Sequence, residues 1–266
     1  MKTRLGRLES QFFAYAQMRK MTLVKAGDIR RSLGLSQAQE IELFRRLTRS
    51  GIVARVRPGL YLVPDRLPLG GAWIPTEIQA LNALLGDQNG SYQICGPNTF
   101  NRYGYDEQIP NRTYAYNNRI SGDRKVGSIQ FTLIKVSDQR LGEAEEVRTL
   151  EGDTGFYSSR TRTLLDAIYD WSRFNTLPRA YAWIEKELAS KRVTASRLVD
   201  VTLKYGDVGT VRRMGFFLER IGVPNSSLIK LRRSLKPTTA FIPSHPNAPR
   251  RGRINPRWGI LDNVDW

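Results

Sequence analysis

The stretch RVRPGLYLVP at residues 55–64 constrains the fold of this chain more than any other segment. Pro58-Gly59 separates two extended runs, which is typical of a tight turn, so the stretch predicts a β-hairpin. Arg55 and Arg57 alternate with valine and therefore share one face of the first strand. We call this stretch the basic hairpin. Two interpretations are open: a solvated surface hairpin, or the wing of a DNA-binding domain.

Predicted helices precede the basic hairpin. Residues 9–21 place apolar side chains at helical spacing, and residues 25–34 predict a short second helix. Ser36 with Gln39 forms a capping-box pattern, which predicts the start of a third helix. The order helix, helix, short turn, helix and hairpin is typical of a winged helix-turn-helix. It predicts such a domain over residues 1–66.

The third predicted helix has one apolar side and one polar side. Ile41, Phe44 and Leu47 fall on one face, and Leu43 falls at its margin. The opposite face collects long polar side chains, and arginine and glutamine are suited to guanine and adenine edges. An ordinary amphipathic surface helix looks similar, but the adjacent basic hairpin favours double-stranded DNA as the partner. The residues predicted to contact DNA are Ser36, Gln37, Gln39, Arg45, Arg46, Arg49, Arg55 and Arg57.

The positive charge is concentrated in two segments. The chain has a formal net charge of +17, and residues 1–64 hold 13 basic and 4 acidic residues. Residues 230–257 hold 8 basic residues and no acid, whereas residues 65–229 have a net charge of only +2. Two basic segments around a nearly neutral middle fit a polyanionic partner such as nucleic acid. An anionic membrane fits less well, because neither segment pairs its charge with a strongly apolar helical face.

The remaining composition fits a soluble protein of a reducing compartment. No apolar run approaches the length of a bilayer-spanning helix, and the N-terminus has no apolar signal-peptide core. The one cysteine, Cys95, excludes an intramolecular disulfide, and its apolar neighbours predict a buried side chain. We therefore expect a cytoplasmic location.

The rest of the chain predicts an α+β fold with a helix-rich second half. Residues 76–86 predict a helix, and residues 112–136 predict a β-hairpin whose loop is SGDRK. From residue 160 to residue 232 the pattern is helical, and it contains four helix candidates. These patterns predict a second, larger domain over residues 67–245, which begins with a linker. Residues that break regular structure there are Pro64, Pro68, Gly70, Gly71 and Pro75.

No catalytic motif is found in the sequence. Nucleotide-binding glycine motifs and a nucleophile elbow are both missing, and one cysteine with one histidine cannot form a usual zinc site. Asp123-Arg124-Lys125 resembles half of a metal-dependent nuclease site, but these residues are also ordinary turn residues at a predicted hairpin tip. We expect no enzyme activity, no metal, no cofactor and no catalytic residue.

Four stretches together resemble AbiEi-type antitoxins of type IV toxin–antitoxin systems, which are linked to abortive phage infection. They are RVRPGLYLVP, RTRTLLDAIYD at 160–170, TVRRMGFFLERIGVP at 210–224 and PRWGILDNV at 256–264. The resemblance implies a winged-helix domain that represses its own operon at inverted repeats. It also implies a C-terminal domain that counters a nucleotidyltransferase-like toxin without a stable complex.

The second domain carries basic residues that are candidates for the antitoxic surface. These are Arg160, Arg162, Arg212 and Arg213. The alternative is that they pair with nearby acids such as Asp166 and Glu219. A stand-alone regulator without a toxin, and a nucleic-acid-processing enzyme, are the alternatives at the level of function.

The basic tail, residues 246–266, permits two interpretations. Arg251-Gly252-Arg253 is similar to the core of a minor-groove AT-hook, although Ile254 replaces the usual proline. The alternative is a strand within residues 254–262 that packs on the body of the protein, and we favour it for that stretch. Candidate tail contacts to DNA are Arg250, Arg251 and Arg253.

Overall fold

The computed structural model describes residues 5–67 and 72–264, so the predicted linker residues Pro68, Gly70 and Gly71 lie outside the described residues. The fold is mixed α+β, as predicted. The chain divides into two compact units. Unit 1 takes its described residues from 1–92, 111–136 and 147–155; unit 2 takes them from 93–110, 137–146 and 156–266. These boundaries differ from the predicted divisions after residues 66 and 245, because residues beyond 66 pack with the N-terminal segment.

The N-terminal part of unit 1 contains the predicted helices and hairpin, but the second helix is shorter than the predicted 25–34 and Lys25 lies in a strand. Its strands form a three-stranded antiparallel sheet in the order β1-β3-β2, of which the sequence predicts only β2 and β3. The elements, numbered along the chain, are α1 (Arg7–Met18), β1 (Leu23–Lys25), α2 (Arg30–Leu33), α3 (Gln37–Arg49), β2 (Ala54–Arg57) and β3 (Leu60–Leu62).

Local signals place the start of α3 where the sequence predicts it. The Ser36 hydroxyl accepts a hydrogen bond from the Gln39 backbone N–H at 3.2 Å. The Gln39 side-chain oxygen in turn accepts one from the Ser36 backbone N–H at 2.8 Å. This reciprocal pair satisfies two backbone donors at the helix end. Phe44 then packs edge-to-face on Phe12 of α1, with ring centroids 5.4 Å apart.

The inward face of α3 differs from the prediction. Leu43, Phe44 and Leu47 are buried as expected of a core stripe, but Ile41 is 58% exposed. Glu40 takes the inward position, because its carboxylate accepts hydrogen bonds from Arg30 Nε at 2.6 Å and the Gly27 N–H at 2.8 Å. A buried carboxylate is tolerated when it is paired in this way.

The remainder of unit 1 adds one helix and three strands. These are α4 (Glu77–Gly86), capped by Thr76 as predicted, and β5 (Thr113–Asn117), β6 (Gly122–Val126) and β7 (Ile129–Lys135). The prediction of one hairpin with an SGDRK loop is wrong. β5 pairs with β7 in parallel, and the SGDRK segment forms most of β6, which pairs antiparallel with β7.

The chain changes direction between β5 and β6 in a turn that the Asn117 side chain stabilises. Its Oδ1 accepts hydrogen bonds from the N–H groups of Arg119 and Ile120, and its Nδ2 donates to the Ile120 carbonyl. Such an Asx turn competes with a continued strand. Asp123 therefore lies within a strand and not at a turn.

Three strands span a point where the chain passes from a segment of one unit to a segment of the other. They are β4 (Tyr92–Ile94), β8 (Ala144–Arg148) and β9 (Thr154–Ser158). Within unit 2, β4 pairs with β9 in parallel, with Ile94 opposite Tyr157. Cys95 follows β4 and is buried, as predicted.

Unit 2 contains the four helix candidates predicted within residues 160–232, the first of which is divided into α6 and α7, and also α11, most of which lies in that stretch but was not predicted as a separate helix. Their apolar faces form one core with Phe100 of α5. The helices are α5 (Pro97–Arg102), α6 (Arg160–Tyr169), α7 (Trp171–Phe174), α8 (Arg179–Ala189), α9 (Ala195–Tyr205), α10 (Val208–Arg220) and α11 (Asn225–Ser234).

The C-terminal residues form a small sheet that packs on the unit 2 core. Its strands are β10 (Ile242–Pro243), β11 (Arg253–Asn255) and β12 (Ile260–Asp262), in the order β10-β12-β11. Trp258 lies in the turn between β11 and β12, is 1% exposed and donates its indole N–H to Glu219 at 2.6 Å. Residues 254–262 thus pack on the body, as the favoured interpretation expects, but as parts of two short strands joined by a turn and not as one strand.

We expect Trp258→Ala to lower the free energy of unfolding by about 3 to 5 kcal/mol, because it removes a large buried ring and one hydrogen bond. Urea denaturation measures this change. Ile254→Ala is the matched control, since Ile254 lies in the same hairpin but is 58% exposed, and it should change stability by less than about 0.5 kcal/mol. Equal effects of the two substitutions would contradict the packing of the C-terminal sheet on the core.

Candidate nucleic-acid interface

The outward side of α3 carries the predicted polar row. Gln37, Gln39, Arg45, Arg46 and Arg49 are all exposed. Ser36 and Gln39 are engaged with each other in the N-terminal cap, so the Gln39 side-chain oxygen is already committed. Helix capping alone therefore explains the presence of Ser36 and Gln39 at these positions, without any contact to DNA.

The three arginines of this row differ in their partners. Arg45 donates two hydrogen bonds of 2.8 Å to Glu42, and Arg46 Nε lies 3.7 Å from a Glu9 oxygen. The hydrogen bond from Arg45 lowers the pKa of Glu42 from its ordinary value. Such exposed pairs are weak and can be exchanged for a phosphate. Arg49 has no ion pair with another described residue.

The basic hairpin presents Arg55 and Arg57 on its exposed face, as predicted. Arg55 has no ion pair within the described part of the chain. Arg57 instead donates from Nε at 2.8 Å and from Nη2 at 2.5 Å to Asp87, which follows α4. Arg57 must therefore leave a carboxylate before it can contact a phosphate, a constraint that the sequence does not indicate, because the two residues are 30 positions apart.

Asp87 binds a second cation of unit 1. Lys25 Nζ of β1 lies 3.1 Å from Asp87 Oδ1. The hydrogen bonds from Arg57 and then Lys25 lower the pKa of Asp87 from its ordinary value. Asp87 is thus charged at neutral pH and joins the hairpin, β1 and the end of α4.

The prediction of an exposed antitoxic surface at Arg160, Arg162, Arg212 and Arg213 is wrong. Arg162 is fully buried, Arg212 and Arg213 are each 8% exposed, and Arg160 is partly buried. The alternative that acids pair with these residues is correct for two of them.

Arg162 belongs to a buried ionic network. Asp166 Oδ1 accepts hydrogen bonds from Arg162 Nε at 2.9 Å and from Arg140 Nη2 at 2.7 Å. Arg162 also donates to the carbonyl groups of Gly142 at 2.9 Å and Arg140 at 2.7 Å. All three nitrogen atoms of the Arg162 guanidinium group thus donate to interior acceptors, which is a structural role.

The other three arginines also hold the interior together. Arg160 pairs with the buried Glu187 at 3.1 Å. Arg212 donates to the Ala240 carbonyl at 3.1 Å, and Arg213 donates to the Pro243 carbonyl at 3.2 Å. Burial lowers the pKa of Arg213 from its ordinary value.

Glu219, predicted as a partner for these arginines, pairs with Arg257 and accepts the indole N–H of Trp258. The exposed cations of unit 2 that have no carboxylate partner among the described residues lie elsewhere. Three of them are on or directly after α11, namely Arg232, Arg233 and Lys236.

The tail arginines Arg250, Arg251 and Arg253 are exposed. Gly252 between them has a structural explanation, because a Cβ there would overlap the backbone of Asp262 on β12. The close approach of two strands thus requires glycine, independently of an AT-hook. DNA contact by the tail stays a prediction.

The nuclease-like fragment forms no acidic cluster. Asp123 accepts hydrogen bonds from Arg112 at 3.0 Å and Thr132 at 2.9 Å. Among residues 5–67 and 72–264, no group of three or more histidine, cysteine, aspartate or glutamate residues is placed to hold a metal ion. None of the helices in these ranges is both long and apolar enough to cross a membrane.

Comparison with known proteins identifies the class of the segment that carries this interface. Residues 14–64 match a family described as "Transcriptional regulator, AbiEi antitoxin". This match supports the resemblance to AbiEi-type antitoxins over residues 14–64, from within α1 to just after β3. No curated protein matches the chain significantly.

The fold of the whole chain is similar to a known crystal structure, that of the RV2827C protein from Mycobacterium tuberculosis. The TM-score is 0.62 at 15% sequence identity, and the alignment covers 98% of this chain and 93% of that one. At this identity the similarity concerns the fold.

We expect Asp166→Ala to lower the free energy of unfolding by about 3 to 5 kcal/mol, because it leaves Arg140 and Arg162 without their buried counter-charge. Thermal or urea unfolding measures the loss. Glu185→Ala on the exposed side of α8 is the control and should change stability by less than about 0.5 kcal/mol. Wild-type stability of the Asp166 variant would show that the buried network contributes little to the stability of unit 2.

Proposed function

We propose that this protein is a DNA-binding transcriptional regulator whose N-terminal segment acts as a winged helix-turn-helix. α3 is the recognition helix in the major groove, and the basic hairpin is the wing beside it. The observation that carries the proposal is the pair of exposed, unpaired cations Arg49 and Arg55, one on each element, within the segment that matches the regulator family.

The proposal extends to the cellular role. The protein represses its own operon at inverted repeats and counters a nucleotidyltransferase-like toxin without forming a stable complex with it. The support is the resemblance to AbiEi-type antitoxins together with the family match over residues 14–64. Both activities place the protein in the cytoplasm and assign it no catalytic step.

The antitoxic role needs exposed side chains, and the four arginines predicted for it are largely buried. We assign the role instead to the exposed cations at the C-terminal end of α11. Arg232 and Arg233 are exposed neighbours on the last turn of this helix.

We expect Arg49→Gln with Arg55→Gln to weaken binding to the DNA upstream of its own gene, because the change removes one cation from each DNA-facing element. The loss should be about 1 to 3 kcal/mol for each residue that reads a base, and the salt slope should fall by about 0.9 for each lost phosphate contact. Fluorescence anisotropy over a salt series measures both quantities.

The matched control is Lys186→Gln with Lys191→Gln, which removes the same charge from exposed positions of unit 2. This control should bind as the wild type does. If the wild-type protein showed no preference for its own upstream DNA over unrelated duplex, the regulator proposal would be overturned.

We expect the two activities to be separable by point substitutions in the full chain. Arg49→Gln with Arg55→Gln should lose repression of a reporter and keep toxin neutralisation; Arg232→Gln with Arg233→Gln should do the reverse. Growth upon co-expression with the nucleotidyltransferase-like product of an adjacent gene measures neutralisation. Failure of the wild-type chain to restore growth would leave a regulator without a toxin partner as the better description.

A further inference from the structure

The segment 111–136 of unit 1 carries a local excess of positive charge. It contains five basic residues and one acid, although the wider stretch 65–229 is nearly neutral overall. The basic residues are Arg112, Arg119, Arg124, Lys125 and Lys135. The average over the wider stretch conceals this excess, since the acids that balance it belong to other segments.

The one acid of the segment is already neutralised. Asp123 lies on β6 and accepts hydrogen bonds from Thr132 Oγ1 at 2.9 Å and Arg112 Nη1 at 3.0 Å. These bonds, the one from Thr132 first, lower the pKa of Asp123, so it stays an anion paired with Arg112. Asp123 therefore does not compensate the cations that follow it.

Arg124 and Lys125 remain exposed and without a carboxylate partner among the described residues. Arg124 donates only to the backbone carbonyl of Asp123, at 2.8 Å. β6 is the outermost strand of the sheet it forms with β7 and β5, so these side chains lie at a sheet edge, where as consecutive residues they leave the strand on opposite faces.

This edge lies beside the basic hairpin within unit 1. β6 neighbours β2, the strand that carries Arg55. The turn after β6 packs on the first residue of β2, because a Cβ on Gly127 would lie 3.3 Å from the Cβ of Ala54. The charged strand β6 therefore continues the surface of the hairpin beyond residue 64, where the family match ends.

We propose that β6 is a second DNA-backbone contact, in which Arg124 and Lys125 bind phosphates that flank the bases read by α3. The proposal rests on the regulator function above. Two unpaired cations beside the proposed wing complement a polyanion, and contacts to phosphates position a protein on the duplex without reading sequence. We call these two residues the β6 pair.

A structural explanation for the β6 pair makes a different prediction. Lysine and other charges on an edge strand protect it from pairing with another chain. If protection were their whole role, removing the charges would promote self-association and leave DNA affinity unchanged.

The test is Arg124→Gln with Lys125→Gln in the full chain, measured by anisotropy on the upstream DNA of its own gene and on an unrelated duplex of equal length. We expect roughly tenfold weaker binding to both duplexes near 0.15 M salt. We also expect a slope of log K against log salt that is shallower by about 1 to 2, since each lost phosphate contact removes about 0.9. The preference for the upstream DNA should stay unchanged.

Two controls make the result specific. Lys186→Gln with Lys191→Gln removes the same charge from unit 2, and an equal loss there would assign the effect to net charge and overturn the β6 contact. Thermal unfolding and light scattering should match the wild type, because both substituted side chains are exposed. Aggregation with unchanged affinity of the monomer would support the protective explanation instead.

The outcome is separable from that of the regulator proposal. Suppose that the wild type binds its upstream DNA and that Arg49→Gln with Arg55→Gln weakens this binding. If the β6 variant then binds as tightly as the wild type, only the β6 contact fails. If the wild type shows no binding to either duplex, the regulator proposal fails and the β6 contact fails with it.

Discussion

Asp166 organises the interior of unit 2, because two arginines can be buried there only in its presence. Arg140 and Arg162 both donate to its Oδ1, and the rings of Tyr169 and Tyr205 cover the two guanidinium groups at 3.8 and 4.3 Å. A charge buried without its partner would cost several kcal/mol. The network therefore fixes α6 against the segment that ends at Gly142, whose carbonyl accepts a further bond from Arg162.

The same constraint sets the rotation of α3 in unit 1. Glu40 is buried only because Arg30 and the Gly27 N–H satisfy its carboxylate. Its inward position turns Ile41 to the solvent and leaves Arg45, Arg46 and Arg49 on the outward side. The ion pair between Glu40 and Arg30 thus decides which side chains of α3 face the solvent.

Arginine has two distinct uses in this chain, and the net charge does not separate them. Arg162 and Arg213 donate hydrogen bonds to interior carbonyl and carboxylate groups. The side chains of Arg49, Arg55 and Arg124 are instead exposed to solvent. Only the exposed arginines contribute strongly to the positive electrostatic potential at the surface, where a polyanion would bind. The interior of unit 2 and the surface of unit 1 are therefore built from the same residue type with opposite consequences for function.

The sequence by itself determined what depends on neighbours a few residues apart. Ser36 with Gln39 specified the start of α3, and Pro58-Gly59 specified the turn between β2 and β3. Only the tertiary structure decided which charges are paired, since the buried Asp166 meets Arg140 across 26 positions of the chain and Asp87 meets the exposed Arg57 across 30. It also decided that β5 and β7 pair in parallel. Such pairings between distant residues leave no periodicity in the sequence, because the partners meet only when the folded chain brings their segments together.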